Sequence, residues 1–264
     1  MLSTLIFDVD GTLADTERDG HRPSFNLAFR EFGLDWEWDV ALYGELLAVT
    51  GGKERIRHFV AQYRSQDPLP RDFDALVVNL HQAKTRHYRA LLERGEIPLR
   101  PGVRRLLEEA RAAGLRLAIA TTTTPENVTS LLAATLGEES IAWFDVLAAG
   151  DIVPAKKPAP DIYHYALQAL GVPARECLAF EDSENGLQSS LGAGITTLVT
   201  VNEYTRGQDF QGAAALLTDL GEPSLPYTRL QGTLPSGAYV DLSLCRQLLQ
   251  DHGFPREACG SGRT

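Results

Sequence analysis

The stretch Leu5-Ile6-Phe7-Asp8-Val9-Asp10-Gly11-Thr12-Leu13 restricts the fold of this chain more than any other. Its three leading apolar residues read as a strand buried on both faces. A buried strand that ends in two acids needs something to neutralise them. Asp8 and Asp10 share strand parity, so an extended chain directs both carboxylates the same way. Gly11 then permits a sharp turn. Open α/β sheets bind ligands at the carboxyl ends of their strands. A parallel sheet with its site at Asp8 and Asp10 is therefore expected. The plainer alternative is a turn in which Asp10 or Thr12 starts a helix.

Hydrophobic spacing divides the remaining chain. Residues 18–93 show helical periodicity only, through Phe25, Ala28 and Phe29, then Leu42 to Val49, Ile56 to Val60, and Leu76 to Leu91. Polar Asp15–Gly20 reads as a linker before this block, and Gly95–Gly102 as another after it. From Pro101 onward, helices alternate with short apolar strands at Leu115–Ala120, Phe144–Ala149, Cys177–Phe180 and Thr197–Val201. The intervening helices include Pro158–Leu170 and Gly186–Ala193. Such alternation implies right-handed crossovers and a parallel sheet. The expected fold is α/β, a doubly wound, Rossmann-like parallel-sheet core of residues 1–17 and 94–222. An all-helical cap, 18–93, is inserted into it. Residues 223–264 form a C-terminal extension of unknown role, with one amphipathic helix over Leu242–Leu249.

Three further strand ends carry polar groups. Thr121-Thr122-Thr123-Thr124 offers hydroxyls and free amides at a strand-to-helix turn, which suits phosphate, although one threonine capping the helix at Pro125 explains it as well. Lys156-Lys157-Pro158 places positive charge beside a helix N-terminus, an unfavourable pairing unless an anion sits there. Of the two lysines, Lys157 is favoured. Phe180-Glu181-Asp182-Ser183 repeats the opening pattern, an apolar strand ending in acids, with Ser183 as candidate helix cap. Acids from two such strand ends repel each other strongly without a cation. Oxygen ligands and a phosphate substrate favour Mg2+.

In order and type these four segments resemble the motifs of the haloacid dehalogenase-like hydrolases. The resemblance implies Asp8 as nucleophile, Asp10 as general acid and base, Thr121 and Lys157 as phosphate-binding groups, and Asp8, Asp10, Asp182 and Glu181 around Mg2+. Thr122 and Thr123 would join the phosphate loop. Thr50-Gly51-Gly52-Lys53-Glu54-Arg55, His81-Gln82-Ala83-Lys84 and Gly150-Asp151 to Lys157-Pro158 are similar to the CbbY branch. That branch implies removal of one phosphate from xylulose 1,5-bisphosphate, a Rubisco inhibitor. Substrate contacts in the cap would come from Glu17, His21, Arg22, Thr50, Gly51, Gly52, Lys53, Arg55, His81 and Lys84. The chain departs from the branch pattern at Asp19-Gly20, one residue longer before His21-Arg22. No family counterpart is evident after Pro223. A hexose phosphomutase of the beta-phosphoglucomutase type shares these motifs and is the alternative. A non-catalytic sugar-phosphate binder is the second, disfavoured because a binder needs no pair of aspartates.

Composition removes other classes. A formal net charge of −10 argues against nucleic acid and anionic membranes as partners. Cys177, Cys245 and Cys259 are widely spaced and odd in number, so neither a disulfide framework nor a zinc site is expected. The expected protein is a monomer acting on a small phosphorylated sugar. Its expected compartment is the cytoplasm, or the chloroplast stroma if a transit peptide has been removed.

Overall fold

Apolar runs four to six residues long, punctuated by positive-φ glycines, set the architecture of the chain. The computed structural model describes residues 1–252 apart from 50, 67, 69–70 and 235–238. Two compact units are present, Met1–Ala14 with Leu99–Thr264, and Asp15–Pro98. The sequence reading divided the chain at 17/18 and 93/94 and set residues 223–264 apart, whereas here those residues belong to the first unit.

The first unit begins with β1 (Thr4–Phe7), fully buried. After the other unit come α5 (Val103–Ala112), β2 (Arg116–Thr121), α6 (Pro125–Leu136), β3 (Val146–Ala149) and α7 (Asp161–Leu170). Then follow β4 (Cys177–Glu181), α8 (Glu184–Gly192), β5 (Thr196–Thr200), β6 (Ala215–Leu217), β7 (Arg229–Gln231) and α9 (Leu242–His252). Among the described residues the sheet has seven strands in the order β3-β2-β1-β4-β5-β6-β7. All neighbours are parallel except β6 and β7. The order reverses on either side of β1, which is the switch point where ligands bind in doubly wound sheets.

Register explains how the site forms. Phe7 lies opposite Ile119 on one side and Phe180 on the other. The Phe7 and Phe180 rings stack at 4.4 Å between centroids. Asp8 N still donates to Phe180 O at 3.0 Å, so the ladder carries the first aspartate up beside Glu181. On one sheet face, Ala118, Ala120, Ala148 and Ala179 are small enough for α7 to pack closely through Ile162, Tyr163 and Ala166. Helix α9 buries Leu242, Leu244, Cys245, Leu248 and Leu249 and packs on α5, β4 and β5. The segment after Pro223 thus supplies an edge strand and a covering helix to this unit.

Several expectations shift. The helix read from Pro158 starts only at Asp161, with Pro160 as its N-cap residue. Glu181 is the last residue of β4 rather than part of the loop after it. β6 and β7 escaped the periodicity reading because three residues do not define a period.

The second unit is helical. It contains a π-helical turn over Thr16–His21, then α1 (Arg22–Glu31), α2 (Val40–Leu46), α3 (Gly52–Tyr63) and α4 (Phe73–Glu93). Asp15–Gly20 is therefore not an irregular linker: Thr16 and Gly20 are buried. The core is aromatic, with Trp38 in ring contact with Phe25, Phe29, Tyr43 and Phe59.

Candidate active site

Three carboxylates meet at the ends of β1 and β4. Asp8, Glu181 and Asp182 are buried, and one oxygen of each lies within 4.8 Å of the others. Lys157 Nζ donates to Asp8 Oδ1 at 2.7 Å and to Glu181 Oε1 at 2.6 Å. Its side chain is nearly buried, while Lys156 pairs with Asp151 at the surface. Lys157 therefore lies among the acids and Lys156 does not. Tyr163, which sequence reasoning missed, also donates to Glu181 Oε1, at 2.5 Å. Its ring lies 5.3 Å from Lys157 Nζ. Asn202 was missed too, and donates through Nδ2 to Asp182 Oδ2 at 2.7 Å. Tyr163 reads as an ordinary apolar-face residue of a helix, and Asn202 as a loop residue. Neither carries a local signal.

The charges do not balance. Three acids crowd together, and the one ammonium among them bonds only Asp8 and Glu181. Burial and the neighbouring Asp8 charge raise the Glu181 carboxyl to about 7 in spite of Lys157. Burial, Asp8 and Glu181 together push Asp182 well above the ordinary carboxylate range. Lys157 is held above its ordinary value by Asp8 and Glu181, which outweigh its desolvation. Glu181 Oε2 is buried without a hydrogen-bond partner. Surplus negative charge, oxygen donors and an orphaned carboxylate oxygen fit a hard divalent cation. The expectation of a cation at Asp8, Asp182 and Glu181 therefore has residues that suit it.

Two glycines make room. A Cβ on Gly11 would lie 2.2 Å from Asp182 Oδ2, and its φ of +86° is strained for other residues. A Cβ on Gly186 would lie 1.8 Å from Glu181 Oε2. Ser183 Oγ accepts from Gly186 N at 3.2 Å, so the expected cap of α8 is present. Asp10, partly buried, forms an isolated parallel bridge with Ala14.

The threonine run splits by role. Thr121 closes β2, is buried, and its Oγ1 accepts from Thr123 N at 3.3 Å. Thr122 is exposed and Thr123 half-buried. Thr124 caps α6, accepting from Asn127 N.

The remaining expected residues lie in the helical unit. Tyr43 OH donates to Glu17 Oε2 at 2.5 Å and accepts from Arg55 Nη1 at 2.9 Å. Arg55 is buried and also holds the carbonyls of Leu46 and Val49. Its guanidinium is thus committed to its own unit. Arg22 donates to Trp38 O at 3.3 Å. Lys84 Nζ lies 2.8 Å from His21 Nδ1 and over the Phe25 and Tyr88 rings. An ammonium only donates, so Nδ1 accepts and the ring is neutral. Accordingly burial, then Lys84, Arg55 and His81, hold His21 well below its ordinary pKa. Burial, Lys84 and Lys53 lower His81 as well. Gly51 has a φ of +95°, and a Cβ on Gly52 would lie 2.7 Å from the His81 ring. Lys53 is exposed, and Thr50 lies outside the described residues.

Comparison with known proteins agrees with this geometry. The family profile of haloacid dehalogenase-like hydrolases matches residues 2–194. Protein CbbY of Cereibacter sphaeroides is 48% identical over 222 residues, 84% of this chain and 94% of that protein. The plasmid-borne CbbY of Cupriavidus necator is 47% identical over 257 residues, covering 97% of this chain and all of that protein. That similarity extends past Pro223, where the sequence had offered no counterpart. Among solved structures, CbbY from Rhodobacter sphaeroides, a mutant in complex with xylulose 1,5-bisphosphate, superposes with a TM-score of 0.71 at 47% identity. The alignment covers 83% of this chain and 95% of that one. With its sheet order, its acids at two strand ends and these relatives, the chain belongs to the haloacid dehalogenase-like hydrolases, as a phosphatase of the CbbY branch.

Proposed function

We propose that this enzyme is a Mg2+-dependent sugar-phosphate phosphatase working through an aspartyl-phosphate on Asp8, with xylulose 1,5-bisphosphate as substrate and xylulose 5-phosphate as product. The observation that carries the reading is the gathering of Asp8, Glu181 and Asp182, with Lys157 bonded to the first two. The crystallised relative with bound xylulose 1,5-bisphosphate supports the substrate.

Asp8 attacks phosphorus as a carboxylate, which needs no base at neutral pH. Lys157, already at Asp8, follows the negative charge onto the phosphoryl oxygens. Thr121 Oγ1 and the amides of the Thr122-Thr123 turn bind those oxygens. Asp10 gives a proton to the departing sugar oxygen and then takes one from the water that cleaves the acyl phosphate. Asp8, Asp182 and Glu181, with the Asp10 carbonyl, would hold Mg2+, which supplies charge neutralisation when bound. In the cap, Lys53 and Lys84 present the positive charge that a second phosphate needs, His81 adds a neutral imidazole, and Glu17, His21, Arg22 and the Gly51-Gly52 amides serve the sugar. Arg55 steadies Glu17 through Tyr43.

The test is a phosphate-release screen over sugar mono- and bisphosphates, with and without Mg2+. Xylulose 1,5-bisphosphate should give the highest kcat/KM, with activity lost on chelation. Asp8→Asn should lower turnover by at least about 10⁴-fold, as for loss of a covalent nucleophile, while substrate still binds. Isomerised product without net phosphate release would instead establish a mutase. Retained turnover in Asp8→Asn would reject the covalent route.

A further inference from the structure

We propose that Arg100 is a positioning residue for the acid cluster, tying the Asp10-Gly11 turn to the end of β5 so that the turn and Asp182 stay side by side. This rests on the reading of the cluster as a divalent-cation site.

Arg100 follows Leu99, the residue with which the chain re-enters its first unit. Its backbone N donates to Leu13 O at 2.8 Å, so it starts beside the catalytic turn. Its guanidinium is buried and spreads over three separate segments. Nη1 donates to Gly11 O, to Thr200 O at 2.9 Å and to Thr200 Oγ1 at 3.1 Å. Nη2 donates to Val201 O and to Thr218 O, both at 2.7 Å. The next residue after Val201 is Asn202, whose Nδ2 holds Asp182 Oδ2 and whose Oδ1 is fixed by Tyr204 N at 2.9 Å. Gly11 closes the circuit: its Cα hydrogen faces Asp182 Oδ2 and Asn202 Nδ2, where a Cβ would come within 2.2 and 2.5 Å. Gly11 and Asn202 thus both touch Asp182, and Arg100 binds the backbone at or beside each.

Burying a guanidinium is costly, and carbonyls can be joined by neutral groups. What a guanidinium adds is a rigid fork that holds several acceptors in one plane, together with a resident positive charge. A lysine carries the charge but not the fork.

The experiment compares full-length wild type, Arg100→Met, Arg100→Lys and Asn202→Ala by Mn2+ titration followed by electron paramagnetic resonance, with thermal melts alongside. Groups that orient metal ligands typically change affinity by about 10- to 100-fold, and a weakening of that size is expected for all three variants. If Arg100→Met does not fold, Arg100→Lys and Asn202→Ala decide. Unchanged Mn2+ affinity in those two overturns the proposal, as does a lowered melting temperature with wild-type affinity, which marks a purely structural arginine. If wild type binds no Mn2+, or Asp182→Asn binds it equally well, the cation-site reading itself fails and takes this inference with it.

Discussion

At the scale of single residues, crowding decides the chemistry. Asp8 and Glu181 share the Lys157 ammonium, and Asp182 leans on Asn202 instead. Glu181 and Asp182 are equivalent acids to a reader of the sequence. The structure separates them because one ends a strand under α7 and the other starts the turn toward α8. The same holds for Lys156 and Lys157, which differ only in which side of the chain faces the site. Gly11 has no substitute here. Gly11→Ala should lower phosphate release by about 10²-fold, the cost of displacing reacting groups by about 1 Å. Single-turnover kinetics would check it, and wild-type turnover in the alanine variant would show that Asp182 has more freedom than these contacts allow.

At the scale of elements, the long and periodic segments were legible and the short or interrupted ones were not. β1, α1, α4 and α6 declared themselves through apolar spacing, and Ser183 through its place before α8. The π turn could not be read, because Thr16–His21 is mostly polar and buries only two residues. Nor could the placement of α9: its apolar face was visible, but not the sheet that it covers. Leu248 is almost wholly buried there, so Leu248→Ala should cost about 2–5 kcal/mol. Denaturant melts would measure that loss. Phosphate release at a temperature where the variant stays folded should match wild type; a large drop in kcat there would give α9 a part in the site. In the helical unit, exposed Lys53 opens the second position of α3, among first-turn amides that lack helical partners. Lys53→Ala should raise KM for a bisphosphate more than for a monophosphate. Equal effects on the two would remove Lys53 from any second anion site.

At the scale of the whole molecule, the acid cluster makes stability depend on pH and on the cation together. An unfolded glutamate releases its proton near 4.5, whereas folded Glu181 keeps it to about 7. Between those values the folded chain binds more protons, so this group's contribution to stability falls as pH rises through that window. Asp182 shifts in the same direction. A divalent cation needs both carboxylates deprotonated, so its stabilising effect should grow over the same range. Mg2+ is therefore expected to raise the melting temperature more at pH 8 than at pH 6, with Asp182→Asn abolishing the difference. Equal gains at both pH values would contradict the coupling. No helix among the described residues is long and apolar enough to cross a membrane. By itself the sequence determined the α/β alternation, the helical insertion and the four strand ends that carry polar groups, because periodicity and turn chemistry are local. Only the tertiary structure decided which acid, which lysine and which unannounced partners, Tyr163, Asn202 and Arg100, come together at these strand ends. Those choices rest on register and helix docking between segments far apart in the chain, where local patterns carry no information.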